Sequence, residues 1–172
     1  MTTIHQPDIQ SVTDRKMLSI DGWRAGIWFS SCHLIPHHHK CSRLHGHTYV
    51  LHLRIEGQPD SSGFLMDFSI IKRTLNKIAD HLDHRVLLPR GNPHVTVEDR
   101  DGTYFVNHHG KYYQFPEEDV LVLDLDSLTA EHLSGYILQE FMKNAKIPEN
   151  IVKISAGIDE GPGQGAWSSV EL

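Results

Sequence analysis

Cysteine is scarce in this chain: its 172 residues hold two, Cys32 and Cys41. Two thiols cannot build a disulfide framework, which excludes a stapled secreted scaffold. Positive charge is also in deficit, with 16 Lys and Arg against 22 Asp and Glu and a formal net charge of −6. That balance gives no electrostatic reason to expect nucleic acid or an anionic membrane as partner, although it leaves room for a local basic pocket. No apolar run approaches the length of a membrane span. Residues 1–16 are polar and carry Asp8, Asp14, Arg15 and Lys16, which is unlike a secretory leader. These absences predict a cytoplasmic protein with free thiols. The hydrophobic fraction of 39% and the charged fraction of 22% suit a folded domain. What the chain has in excess is histidine, with 14 copies, and histidine is the commonest metal ligand.

The pattern predicts one domain over residues 1–172, with 1–16 a loosely ordered extension. Residues 17–35 read as one strand, because Trp23, Ala25, Ile27 and Phe29 alternate with Arg24, Gly26, Trp28 and Ser30. A polar loop spans 36–44. A second strand follows, with Tyr49, Leu51, Leu53 and Ile55 on one face. Turn residues at 57–63 and a short third strand at 64–66 complete a meander. Asp67 is placed to cap a helix that runs to about Leu82, since Phe68, Ile71, Leu75, Ile78, Ala79 and Leu82 form one apolar stripe. About 85–126 reads as a hairpin insertion, with strand-like pieces at 95–98, 103–107 and 112–115, and Val120 to Leu125 is another strand or an extended lead-in. A second helix starts near Thr129, capped at Ser127 or Leu128, and ends before Ile147-Pro148. Residues 152–158 read as the last strand. This order predicts an α+β layer with two helices on one face of an antiparallel sheet.

Chemistry concentrates at His45-Gly46-His47. Residues i and i+2 of a strand point to the same side, so two imidazoles project together. If strands one and two pair across the 36–44 loop, His33 joins them. Three neutral nitrogens with a fourth position open is the arrangement of a catalytic zinc; the alternative is histidines on a wet strand face. Cys41 lies in the loop over that site, as a thiol activated by a nearby cation, a fourth metal ligand, or an inert side chain. Cys32 neighbours His33, points to the other face and suits core packing. Asp83-His84 follows the first helix; a carboxylate can fix an imidazole tautomer for proton transfer, and a His at a helix end also suits the helix dipole. Glu160 closes the final strand, either as a solvated charge before a turn or as an acceptor for an amino-pyrimidine edge. His37-His38-His39 and His108-His109 read as solvent-facing loops. The segment 161–165 lacks the Lys-Ser/Thr ending of a phosphate loop.

Taken in order, Phe29-Ser-Ser-Cys-His33, Cys41-Ser-Arg-Leu-His45-Gly-His47-Thr-Tyr49, Met66-Asp67-Phe68, Leu82-Asp83-His84, Thr129-Ala-Glu131 and Glu160 resemble the 6-pyruvoyl-tetrahydropterin synthase family. Within it the likeness leans to the 6-carboxy-5,6,7,8-tetrahydropterin synthase branch of the queuosine pathway. The resemblance implies a T-fold, an antiparallel four-stranded sheet with two helices, assembled as a homo-oligomer (trimer or hexamer) with active sites between subunits. It implies Zn2+ on His33, His45 and His47, Cys41 as general base, and Asp83 and His84 as a proton relay from a neighbouring subunit. It implies Glu160 as anchor of the pterin ring, helped by backbone groups near Thr129 and Ala130. The implied reaction converts 7,8-dihydroneopterin triphosphate to 6-carboxytetrahydropterin, acetaldehyde and triphosphate. Two other readings compete. One is a 6-pyruvoyl-tetrahydropterin synthase that eliminates triphosphate without cleaving the side chain. The other is a non-catalytic zinc- or pterin-binding protein, against which an intact Cys41, Asp83 and His84 argue.

Overall fold

The computed structural model describes residues 15–36 and 38–172. Of the extension expected at 1–16, residues 1–14 lie outside the described residues, and Lys16 belongs to a strand. In chain order the elements are β1 (Lys16–Ile20), α1 (Gly22–Ala25), β2 (Trp28–His33), β3 (His45–Gly57), α2 (Phe68–Leu82), β4 (Arg85–Pro89), β5 (Val95–Arg100), β6 (Thr103–His108), β7 (Lys111–Pro116), β8 (Val120–Leu123), α3 (Ala130–Asn144), β9 (Ile151–Asp159) and β10 (Gly165–Glu171).

The main sheet has seven strands in the order β10-β9-β3-β2-β4-β8, with β1 also paired to β3. Four of them, β10, β9, β3 and β2, form an antiparallel run. The four-stranded antiparallel expectation is corrected by β1 and by β4 and β8, which join as parallel neighbours of β2 and of each other. The single strand expected over 17–35 is in fact β1 and β2, laid end to end along one edge of β3. Helix α1 interrupts them because the Asp21 side chain accepts a bond from Arg24 N–H and Gly26 closes the turn at φ 69°. Gly22 is required there: a Cβ would meet the Leu51 carbonyl oxygen at 2.0 Å.

The expected strand at 64–66 is loop, and β1 takes the place beside β3. The insertion is narrower than 85–126 and is a three-stranded antiparallel meander, β5-β6-β7, rather than a hairpin. Strand β4 escaped the reading because it is buried on both faces, so Val86, Leu87 and Leu88 show no alternation. A last strand, β10, follows the 161–164 turn.

Helix α2 runs as expected and is capped by Asp67, which accepts from Ser69 N–H at 2.7 Å. Thr129, not Ser127 or Leu128, occupies the cap position of α3. Both helices cover one sheet face, where Tyr49, Leu51, Leu53 and Ile55 pack with Ile71, Leu75, Leu133 and Phe141. A second apolar cluster joins the insertion to the sheet through Leu34, Val86, Leu88, Val95, Val106 and Val120, and Cys32 packs against it. No helix among the described residues is long and apolar enough to cross a membrane.

Candidate metal centre

The β2–β3 register pairs His33 with His45 and Ser31 with His47, so the three imidazoles share the helix-covered face at the loop end of the hairpin. Their ligand atoms all lie within 4.8 Å of one another. A Cβ on Gly46 would meet the Ser31 carbonyl oxygen at 3.0 Å, so the glycine between two ligands permits close strand pairing.

The surrounding bonds orient the rings. His33 Nδ1–H faces the Leu128 carbonyl at 2.9 Å and the Tyr49 hydroxyl at 3.2 Å, and His45 Nδ1–H donates to the Arg43 carbonyl at 2.7 Å. With Nδ1 protonated, each Nε2 keeps a free lone pair. His33 Nε2 and His47 Nε2 are buried and have no hydrogen-bond partner. Such orphans are costly unless something binds them, and a cation is what converging lone pairs fit. His33 titrates at about 4, held down by burial first and by His45 and His47 against the raising bond to Leu128. It is neutral at pH 7, the state a ligand needs.

Glu160 stands beside this cluster. Strand β9 ends with Asp159 opposite Val50, so the next step of the register turns Glu160 to the Tyr49 and His47 face. Burial raises the Glu160 pKa; His47 and His45 oppose this and Glu131 adds to it. The same interactions tie together β9, the histidines and the start of α3. At that start Thr129 makes no side-chain cap bond, and its hydroxyl lies 3.1 Å from His132 Nδ1. The first backbone N–H groups of α3, those of Ala130 and its neighbours, carry the positive end of the helix dipole.

The structure keeps the other three predicted residues out of the cluster. Cys41 is half-buried in the β2–β3 loop, where its carbonyl accepts from Ile35 N–H at 2.7 Å and its N–H donates to His38 Nδ1 at 3.1 Å. Its sulfur is not one of the converging ligand atoms, so it is not a fourth ligand of this arrangement. Asp83 and His84 lie where α2 passes into β4. Asp83 Oδ1 accepts from Ser30 N–H at 2.7 Å, Oδ2 lies 2.7 Å from His84 Nδ1, and His84 N–H donates to the Ser30 carbonyl at 2.7 Å. Burial works against the Asp83 carboxylate, but the bonds from Ser30 and His84 prevail and hold its pKa below the usual value. His84 is exposed, at φ 54°. It lines an open depression of about 590 Å³ with Ser30, Ser31, Cys32, His47 and Thr48.

Residues 24–169 match the family described as 6-pyruvoyl tetrahydropterin synthase. The chain belongs to that family. Among curated relatives of this synthase, a Methanocaldococcus jannaschii protein provisionally named 6-carboxy-5,6,7,8-tetrahydropterin synthase is 40% identical over 154 residues, covering 87% of this chain and 94% of its own. A Rickettsia conorii protein named 6-carboxy-5,6,7,8-tetrahydropterin synthase is 27% identical over 139 residues, 79% of this chain and 91% of the relative. The solved 6-pyruvoyl tetrahydropterin synthase of Plasmodium vivax superposes with a TM-score of 0.86 at 23% identity, covering 92% of this chain and 99% of that one. The fold is therefore the T-fold, and the chain is a pterin synthase.

Three parts of this histidine cluster's surroundings escaped sequence reading. Tyr49 follows His45 and His47 on the same strand face, so alternation could have found it. The Leu128 and Arg43 carbonyls are backbone acceptors and leave no mark in a sequence.

Proposed function

We propose that this synthase is a zinc-dependent lyase that converts 7,8-dihydroneopterin triphosphate and water to 6-carboxy-5,6,7,8-tetrahydropterin, acetaldehyde and triphosphate. The observation that carries the reading is the His33, His45 and His47 cluster, with two buried Nε2 atoms unpartnered and Glu160 beside it. The names of the relatives support the carboxy-producing branch. The active unit is a homo-oligomer, trimer or hexamer, of single-domain chains in the cytoplasm.

His33, His45 and His47 would hold the metal. A bound zinc ion supplies Lewis acidity toward oxygens of the substrate side chain, where charge develops as protons move. Glu160 anchors the pterin by accepting paired N–H groups of its amino-pyrimidine edge, and backbone N–H groups at Thr129 and Ala130 take ring acceptors. The Cys41 thiolate removes a proton from a side-chain carbon. His84 carries protons on the other side of the substrate. Asp83 fixes its tautomer through the 2.7 Å contact and stays ionised because its own pKa is depressed. Asp83 and His84 bond to each other and to the Ser30 backbone rather than to the three imidazoles of their own chain, which supports their acting from a neighbouring subunit.

Incubation with dihydroneopterin triphosphate and mass spectrometry of the products tests the reading. Stoichiometric acetaldehyde with the carboxypterin is the expected result. Triphosphate release without acetaldehyde would make the protein a 6-pyruvoyl-tetrahydropterin synthase, and substrate binding without turnover would make it a binding protein. Cys41→Ala should keep stoichiometric zinc and lose turnover by at least about a hundredfold, the lower end of the range for one general base. Full activity in that variant would remove Cys41 from the mechanism.

A further inference from the structure

The β5–β7 insertion packs against β4, β8 and the root of the loop that carries Cys41. Both ends of that loop are rooted in the second apolar cluster: Leu34 is 1% exposed and packs with Val95 and Val106, and Leu44 packs against the same group. Two outward carbonyls of the loop meet the β6–β7 turn. His109 Nε2–H donates to the Pro36 carbonyl at 3.2 Å, and Lys111 Nζ reaches the Ser42 carbonyl at 3.5 Å. These carbonyls flank Cys41 on either side in sequence.

The turn itself is a tight two-residue one. His108 pairs with Lys111, and His109 and Gly110 both take positive φ, 48° and 74°, the two-residue geometry that matches strand twist. His108, expected to face solvent, is fully buried beneath it, with Nδ1–H 3.3 Å from the His94 carbonyl. Within the loop, the bonds of Cys41 to Ile35 and His38 are joined by Ser42 N–H to the His38 carbonyl at 2.9 Å. Among the described residues the loop is thus tied by local bonds, and it is held from outside by the insertion as well as by Ile35 against the main core and by His45 at the Arg43 carbonyl.

We propose that His109 and Lys111 are positioning residues for Cys41, the insertion serving as a clamp that holds the thiol's loop in its working place. The proposal rests on the reading of Cys41 as general base. A base delivered on a loop must be placed to within a fraction of an ångström, and a misplacement of about 1 Å can cost up to a hundredfold in rate. The clamp acts on placement, so it affects turnover and thiol accessibility while the metal site stays intact.

The test uses the full chain with Cys32→Ala, so that alkylation by iodoacetamide reports Cys41 alone. In the His109→Ala/Lys111→Met double variant, Cys41 should alkylate at least about fivefold faster. Its kcat should fall about tenfold, with KM within about twofold and zinc content unchanged. His109→Gln/Lys111→Arg keeps both donors and should restore both values, which a fold defect would not allow. Adding the Ala/Met pair to Cys41→Ala should cost nothing more. An alkylation rate and kcat equal to wild type overturn the proposal, as does a further loss in the Cys41→Ala background. If Cys41→Ala proves fully active, the general-base reading falls, and the alkylation rate still decides whether the clamp holds the loop.

Discussion

His33 shows how one side chain can be fixed by its surroundings before any metal arrives. Its ring is buried, its Nδ1–H is engaged, and its pKa lies at about 4. In the unfolded chain it returns to about 6.5. Between those values the unfolded state binds more protons than the native state, so stability rises with pH. The contribution is complete above about pH 6.5 and is lost as pH falls to about 4. Across that window it amounts to about 3 kcal/mol, at 1.36 kcal/mol per unit of pKa difference. Urea unfolding of the metal-free protein at pH 7 and pH 4.5 measures it by comparison with His33→Gln, because the carboxylates titrating in the same window are common to both proteins. The wild type should lose more stability on acidification than the variant; parallel losses would show that His33 is not the group responsible. The clustering of the three histidines was legible because strand alternation turns spacing into direction. The anchoring carbonyls of Leu128 and Arg43 were not, since any residue supplies one.

At the scale of elements, legibility followed amphipathicity. Helix α2 was read with its cap because one apolar stripe and an Asp at the boundary carry the whole signal. Strand β3 was read because one face is apolar throughout. Strand β4 was not, because a strand covered on both sides has no period. Helix α1 was hidden by an accident of alternation at Trp23, Ala25, Ile27 and Phe29, and what decides its conformation is Asp21, Gly22 and Gly26. The Gly22 N–H donates to His52 Nδ1 at 3.1 Å, and Ile27 N–H donates to the Gly22 carbonyl at 3.0 Å. A Cβ at Gly22 would collide with the backbone of β3, which cannot move aside as a flexible side chain would. Gly22→Ala should therefore destabilise by about 3 kcal/mol, the upper end for overpacking. In a chain of this length that lowers Tm by about 6–12 °C. Calorimetry would detect the shift, and a Tm unchanged within 1–2 °C (roughly 0.5 kcal/mol) would mean that α1 can move off the strand.

At the scale of the molecule, one chain does not bond the Asp83–His84 pair to the histidine cluster. The histidines, Glu160 and the start of α3 converge on the helix-covered face, while the Asp83–His84 pair is bonded to Ser30 and exposed at the start of β4. The sheet also ends in two strands, β10 and β8, whose outer edges are unpaired among the described residues. Unpaired edges are natural places for another chain to join. Closed assembly would let the Asp83–His84 pair of one subunit meet the cluster of the next. This arrangement has a consequence that a site within one chain lacks. Cys41→Ala and His84→Ala are each expected to be inactive, yet each carries the group that the other has lost. In an oligomer reassembled from equal amounts, half the sites take an intact Cys41, and half of those meet an intact His84. Activity should return to about one quarter of wild type. The measurement is turnover after co-refolding from denaturant, with each variant refolded alone as control. If both residues act within one chain, every site in the mixture lacks one of them, and no activity returns.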